Sequence, residues 1–175
     1  MQPVKSTVEI LAFKVLNRTI NVAWVDWALD MMTVGFDTEH LRILAGEREP
    51  FNQFQMQDLT NKVLDELHLN YSDKDKAINN YVCYLIDKAL SDETQTLNVL
   101  NSLKNLCIEL DYKKSLYDFY LLYFTKLDLL DSENQWYWEG ADKNNIDKII
   151  KDCFLKWTSN CVTEQTTNAQ QKYLQ

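Results

Sequence analysis

Residues 21–46 read NVAWVDWALDMMTVGFDTEHLRILAG, and their spacing decides the fold class. Val22, Val25, Ala28, Leu29 and Met32 recur at helical spacing, with Trp24, Trp27 and Met31 on an adjoining face, and no strand-like alternation is present. A helix from Asn21 to Val34 is therefore expected. Its polar strip is only Asp26, Asp30 and Thr33, so the helix should be largely surrounded by protein. Gly35 stands where a left-handed C-terminal cap belongs, and Asp37 or Thr38 stands where the next helix needs a side-chain oxygen for its free amides. That next helix is short and closes at Gly46.

The same reading extends outward in both directions. Ser6 and Glu9 have the spacing of a capping box for a first helix that runs to about Leu16. After EREPFNQ, where Pro50 restricts Glu49 to extended conformations, a helix from Phe54 to Leu67 carries Met56, Leu59, Val63, Leu64 and Leu67. The next, Lys74 to Leu90, is amphipathic through Ile78, Tyr81, Val82, Leu85, Ile86 and Ala89. SDET offers a stop and a new cap before a helix from Thr94 to Leu110 with Leu97, Leu100, Leu103, Leu106 and Cys107 on one face. Residues 113–130 are apolar nearly all the way round from 119 to 124, which predicts a central, buried helix. A last helix, Lys143 to Trp157, shows Ile146, Ile149, Ile150, Cys153 and Trp157 on one face. The expected whole is an all-α domain of seven to eight helices over residues 1–162, followed by a poorly ordered polar tail over 163–175. A compact bundle and stacked helical hairpins both fit this order of elements.

Composition narrows the function classes. The chain has 175 residues with 3 Gly and 2 Pro, where average usage gives roughly twelve and nine. Hairpin-rich all-β folds and glycine-rich phosphate loops are thereby excluded. The net charge is −8, made of 6 Lys/Arg against 10 Asp/Glu in residues 1–70 and 12 against 16 in residues 71–175. An even acidic coat with three arginines lacks the basic stripe that nucleic acid requires, so no nucleic-acid partner is expected. The stretch MQPVKSTVEILAFKVLNRT is too short and broken in its apolar part for a signal peptide, and no run approaches a membrane span, so a cytoplasmic location and no membrane partner are expected. Cys83, Cys107, Cys153 and Cys161 match no zinc or C-x-x-C spacing and read as free thiols.

Few residues carry chemistry. His40 and His68 have no acidic or cysteine residue three or four positions after them, so no metal site and no cofactor are expected, and Asp128, Asp131 and Glu133 read as a solvated helix end. Asp26 and Asp30 lie one turn apart on an otherwise apolar helix, an environment that would raise a carboxylate's pKa. Together with Asp37 and Arg42 they are the candidate catalytic residues. Trp136 and Trp138, beside the polar EGADKNN, are the candidate partner-binding residues, because tryptophans flanked by polar groups are typical of interface hot spots.

The run from Trp27-Ala28 through Gly35-Phe36-Asp37-Thr38 to Leu41-Arg42-Ile43-Leu44-Ala45-Gly46 resembles a pattern in uncharacterised bacterial cytosolic proteins, covering residues 24–110. There a Trp-Ala helix leads to a glycine, Asp-Ser or Asp-Thr, and a segment ending in Leu-Ala-Gly. The resemblance implies an all-helical bacterial domain and no particular activity; this chain lacks the basic, proline-containing segment found later in that pattern. The favoured expectation is a protein–protein interaction module, an immunity- or antitoxin-like inhibitor or an accessory subunit, that binds a basic partner. The alternative is an enzyme with a carboxylate site in a cleft between helices. Nothing in the sequence sets the oligomeric state.

Overall fold

Asn21 opens the decisive helix as expected: its side-chain oxygen accepts from Ala23 N at 3.1 Å. In this computed structural model the backbone is described for residues 1–171 and the side chains for residues 1–159 and 161. The polar tail expected over 163–175 lies outside the residues described in full. Among the described residues there are eight α-helices and no strand: α1 (Thr7–Val15), α2 (Val22–Thr33), α3 (Glu39–Gly46), α4 (Gln53–Glu66), α5 (Lys74–Ser91), α6 (Thr96–Glu109), α7 (Tyr117–Asp131) and α8 (Ile146–Gln171). No helix among them is long and apolar enough to cross a membrane. The chain divides into two compact units, Met1–Tyr84 and Leu85–Gln175, with the division falling inside α5.

How so glycine-poor a chain ends its helices is visible in the turns. After α2, Gly35 at φ +100° lets Gly35 N donate to Met32 O at 3.0 Å and Phe36 N donate to Met31 O at 3.1 Å, which is the Schellman pattern of paired bonds. The same pattern closes α1, α4 and α6 without glycine. Asn17, His68 and Asp111 each adopt φ +52° there, and Arg18, Leu69 and Tyr112 reach back to Phe13, Leu64 and Cys107. Each non-glycine residue in this conformation costs about 1–2 kcal/mol, which the capping bonds and flanking packing must offset.

In the first unit α2 packs on α1 and α3, and α3 packs on α4. The core is built around Trp24 and Trp27, whose rings meet edge to face at 6.2 Å, with Met31, Leu41, Leu44, Val63 and Leu64 closing over them. The Trp27 indole donates to the Thr7 hydroxyl at 3.0 Å, so a buried polar group is satisfied inside the core. Only one face of α2 is covered, however. Val22, Leu29 and Val34 are about half exposed, so the expected envelopment by protein does not occur. The expected capping box at α1 is also absent, because Ser6 is itself helical (φ −64°, ψ −10°) and its side chain makes no capping bond.

In the second unit α7 packs against both α6 and α8, and α6 with α7 forms a helical hairpin. Leu100, Leu103, Leu106, Leu116, Phe119, Leu122, Ile146, Ile150 and Phe154 are buried. Helix α7 is not the enclosed helix that its apolar run suggests. Phe119, Leu122, Thr125 and Leu129 form the buried stripe, while Tyr117, Leu127 and Leu130 are exposed and Tyr120, Tyr123 and Phe124 are half-buried. Cys107 and Cys153 are free thiols. Cys83 and Cys161 are each in the disulfide state, which corrects the expectation of four thiols.

Candidate functional site

The surface of α7 that faces away from its core carries a continuous set of aromatic rings. Tyr117, Tyr120, Phe124 and Leu127 recur at helical spacing, a second apolar stripe on a helix that already buries one. Tyr117 stacks on Tyr120 with ring centres 5.5 Å apart, and Tyr120 meets Phe124 at 5.1 Å. Tyr112 joins edge-on to Tyr120 at 5.6 Å, and Tyr137 leans on Phe124 at 5.4 Å. On the flank Tyr123 meets Phe124 at 5.2 Å, with the Lys104 ammonium 4.6 Å above the Tyr123 ring.

Two local devices hold the ends of this surface. At the α6–α7 connection, Asp111 and Tyr112 are consecutive non-glycine residues at φ +52° and +56°, and Tyr112 N donates to Cys107 O at 2.8 Å. That turn presents the Tyr112 ring to Tyr120. At the other end the loop after α7 is organised by Gln135. Its Oε1 accepts from Tyr137 N and Trp138 N, both at 2.9 Å, while its Nε2 donates to Trp138 O at 2.6 Å and Ala141 O at 3.1 Å. Gly140 (φ +75°) turns the chain, and Asp142 caps the approach to α8 by accepting from Asn144 N and Asn145 N. The loop is thus fixed with Tyr137 against Phe124 and Trp136 directed to solvent.

Exposure separates this face from a core. Trp136 is 90% exposed, Tyr112 50%, Tyr137 42% and Tyr117 41%. Loss of water, reinforced by neighbouring tyrosines, pushes the Tyr120 hydroxyl above the usual tyrosine value, so it stays a neutral donor and acceptor. Large rings already ordered by their neighbours lose little freedom on binding, which makes such a surface suited to macromolecular contact.

The sequence candidates fall in different places. Trp136 lies at the rim of the aromatic face, whereas Trp138 is half-buried in the Gln135 loop. Asp26 and Asp30 are exposed on α2, and Asp37 and Arg42 form a surface ion pair at 2.6 Å. These four line neither the cavity beside Leu97, Ile150 and Phe154 nor the one beside Lys14, Gln57 and Tyr71. Among the described residues no group of three or more His, Cys, Asp or Glu side chains is placed to hold a metal ion. Tyr117 and Tyr120 belong to the apolar run of residues 113–130, and their helical spacing opposite the Phe119–Leu122 stripe is the signal for a separate face; Tyr112 has no such signal, because the left-handed turn at Asp111 places it. Compared with protein-family models, with curated proteins and with solved structures, the chain matches none.

Proposed function

We propose that this chain is a protein–protein interaction module of bacterial type, an inhibitor or accessory subunit, which engages its partner through the aromatic face of α7. The observation that carries the reading is the ordered run of rings from Tyr112 through Tyr117, Tyr120 and Phe124 to Tyr137, with Trp136 standing free at its rim. Exposed apolar patches of this kind mark interaction sites, and tyrosine and tryptophan dominate interface energetics.

The partner is proposed to be basic. Residues 104–139, which carry the aromatic face, hold seven Asp/Glu against four Lys, in a protein of net charge −8. Complementary charge speeds encounter and restricts the choice of partner, while the rings supply the affinity. A cytoplasmic location is not carried into the proposal, because the disulfide-bonded state of Cys83 and Cys161 belongs to an oxidising environment.

The test is affinity capture from the source cell with the wild-type chain and with a Tyr117→Ala, Trp136→Ala variant. The expected result is one basic protein in stoichiometric amount on the wild type, weakened by salt and lost from the variant. Equal recovery on both chains would reject the aromatic face as the site.

A further inference from the structure

Within the second unit, the C-terminal end of α5, the short 3-10 turn Glu93–Gln95, and helices α6, α7 and α8 enclose a cavity of ≈ 480 Å³. Volumes of this order are typical of small-molecule sites. Its floor is hydrocarbon, from Leu90, Leu97, Ile150 and Phe154. Its rim is basic in an otherwise acidic protein: Lys126, Lys148 and Lys151 stand against Glu93 and Asp147.

The ion pairs on this rim are unequal. Lys151 pairs with Glu93 at 3.1 Å across two exposed side chains. Lys126 is drawn into the cavity, with 19% of its side chain exposed, and its described partner is Asp147, which is 72% exposed, at 2.7 Å. Lys148 has no carboxylate within ion-pair distance among the described residues. One lysine therefore offers an uncompensated charge, and a second is matched only by a surface carboxylate that an incoming anion can replace. A hydrocarbon floor beneath two such ammonium groups fits a ligand with an apolar body and a single anionic head.

We infer that this cavity binds a medium-chain monocarboxylate, its chain against Leu97, Ile150 and Phe154 and its carboxylate between Lys126 and Lys148. Asp147 is then a competitor for Lys126 and not a contributor to binding. The arrangement makes an unusual demand on sign: removing a carboxylate from the rim strengthens the site, and removing Lys148 weakens it.

The experiment titrates the full chain with decanoate below its micellar concentration, by calorimetry and by methyl NMR of Leu97 and Ile150. Decanol and decyltrimethylammonium serve as controls of equal chain length. Expected are saturable one-to-one binding of decanoate, shifts at Leu97 and Ile150 but not at Leu127 on the aromatic face, and weaker binding of decanol. Lys148→Gln lowers decanoate affinity and Asp147→Asn raises it, each by about two- to fivefold, the range of an exposed ion pair. Both substituted residues are exposed, so neither variant is expected to disturb the fold. Non-saturable uptake, equal binding of decanol, an unchanged affinity in Asp147→Asn, or shifts confined to the α7 surface would overturn the inference.

Discussion

Glu66, the last residue of α4, closes the N-terminus of α3 by accepting from His40 twice: from its backbone N at 3.1 Å and from its ring Nδ1 at 2.5 Å. Neither nearby candidate performs this task. Asp37 is engaged by Arg42, and the Thr38 side chain makes no capping bond. The free His40 amide at the start of α3 is thus met from another helix, and the carboxylate also sits favourably at the positive end of the α3 dipole.

The hydrogen bond from the His40 ring is the main reason that Glu66 is held below the usual glutamate range. A depressed folded value means that this stabilisation is complete above the unfolded value of about 4.3. It is lost as pH falls through the lower folded value. Glu66→Gln should lower the melting temperature at neutral pH, and the difference from wild type should shrink on acidification below pH 4. A difference that stays constant down to pH 3 would contradict the linkage.

The Thr7 hydroxyl is the partner of the Trp27 indole in the first unit's core. Thr7→Val keeps the shape and leaves that N–H buried and unpaired. The expected loss is about 1–3 kcal/mol in urea unfolding. An unchanged midpoint would mean that the indole finds another acceptor.

Left-handed helix ends give predictions of opposite sign. At Gly35 (φ +100°) an added Cβ would stand 3.0 Å from the Met1 sulfur in a conformation that favours glycine. Gly35→Ala should therefore cost more than about 1 kcal/mol. At His68 (φ +52°) the strain is already present, and His68→Gly should gain about 0.5–1 kcal/mol. Chemical denaturation of the two variants checks both signs.

Thiol counting addresses the compartment. With Cys107 and Cys153 free and Cys83 and Cys161 disulfide-bonded, the denatured chain should show two reactive thiols before reduction and four after it. Four thiols before reduction would restore the cytoplasmic expectation.

Helices with one apolar stripe were legible from spacing alone: in α5, all six of Ile78, Tyr81, Val82, Leu85, Ile86 and Ala89 are buried. Where a helix is apolar over more than one stripe, spacing alone does not say which residues a neighbouring helix will cover. In α2 the covered side joins Trp24, Trp27 and Met31 to Val25 and Ala28 and leaves Val22 and Leu29 outside, and in α7 a second apolar stripe lies at the surface, because a helix covered by neighbours on one side leaves its remaining apolar residues to solvent or to one another. Tyr117, Tyr120 and Phe124 do the latter, so a run that reads as core proves to be a face. Trp136 was legible as a partner candidate from its polar surroundings. The ring face beside it was not, since Tyr112 is brought to Tyr120 by the left-handed turn at Asp111 and Tyr137 to Phe124 by the loop that Gln135 holds. The Glu66–His40 cap was hidden for a similar reason, because tertiary folding brings together residues that share no local pattern.

The central claim is that the aromatic face of α7 meets a partner protein, and site-specific photo-crosslinking tests it most directly. A benzophenone side chain replaces Trp136, and a control carries it at Ile43, an exposed position on α3. Neither change should alter stability by more than about 0.5 kcal/mol. The account predicts one dominant adduct from position 136 and none from position 43, with the adduct lost when Tyr117 and Tyr120 are alanine; no adduct at 136, or equal adducts at both positions, would contradict it.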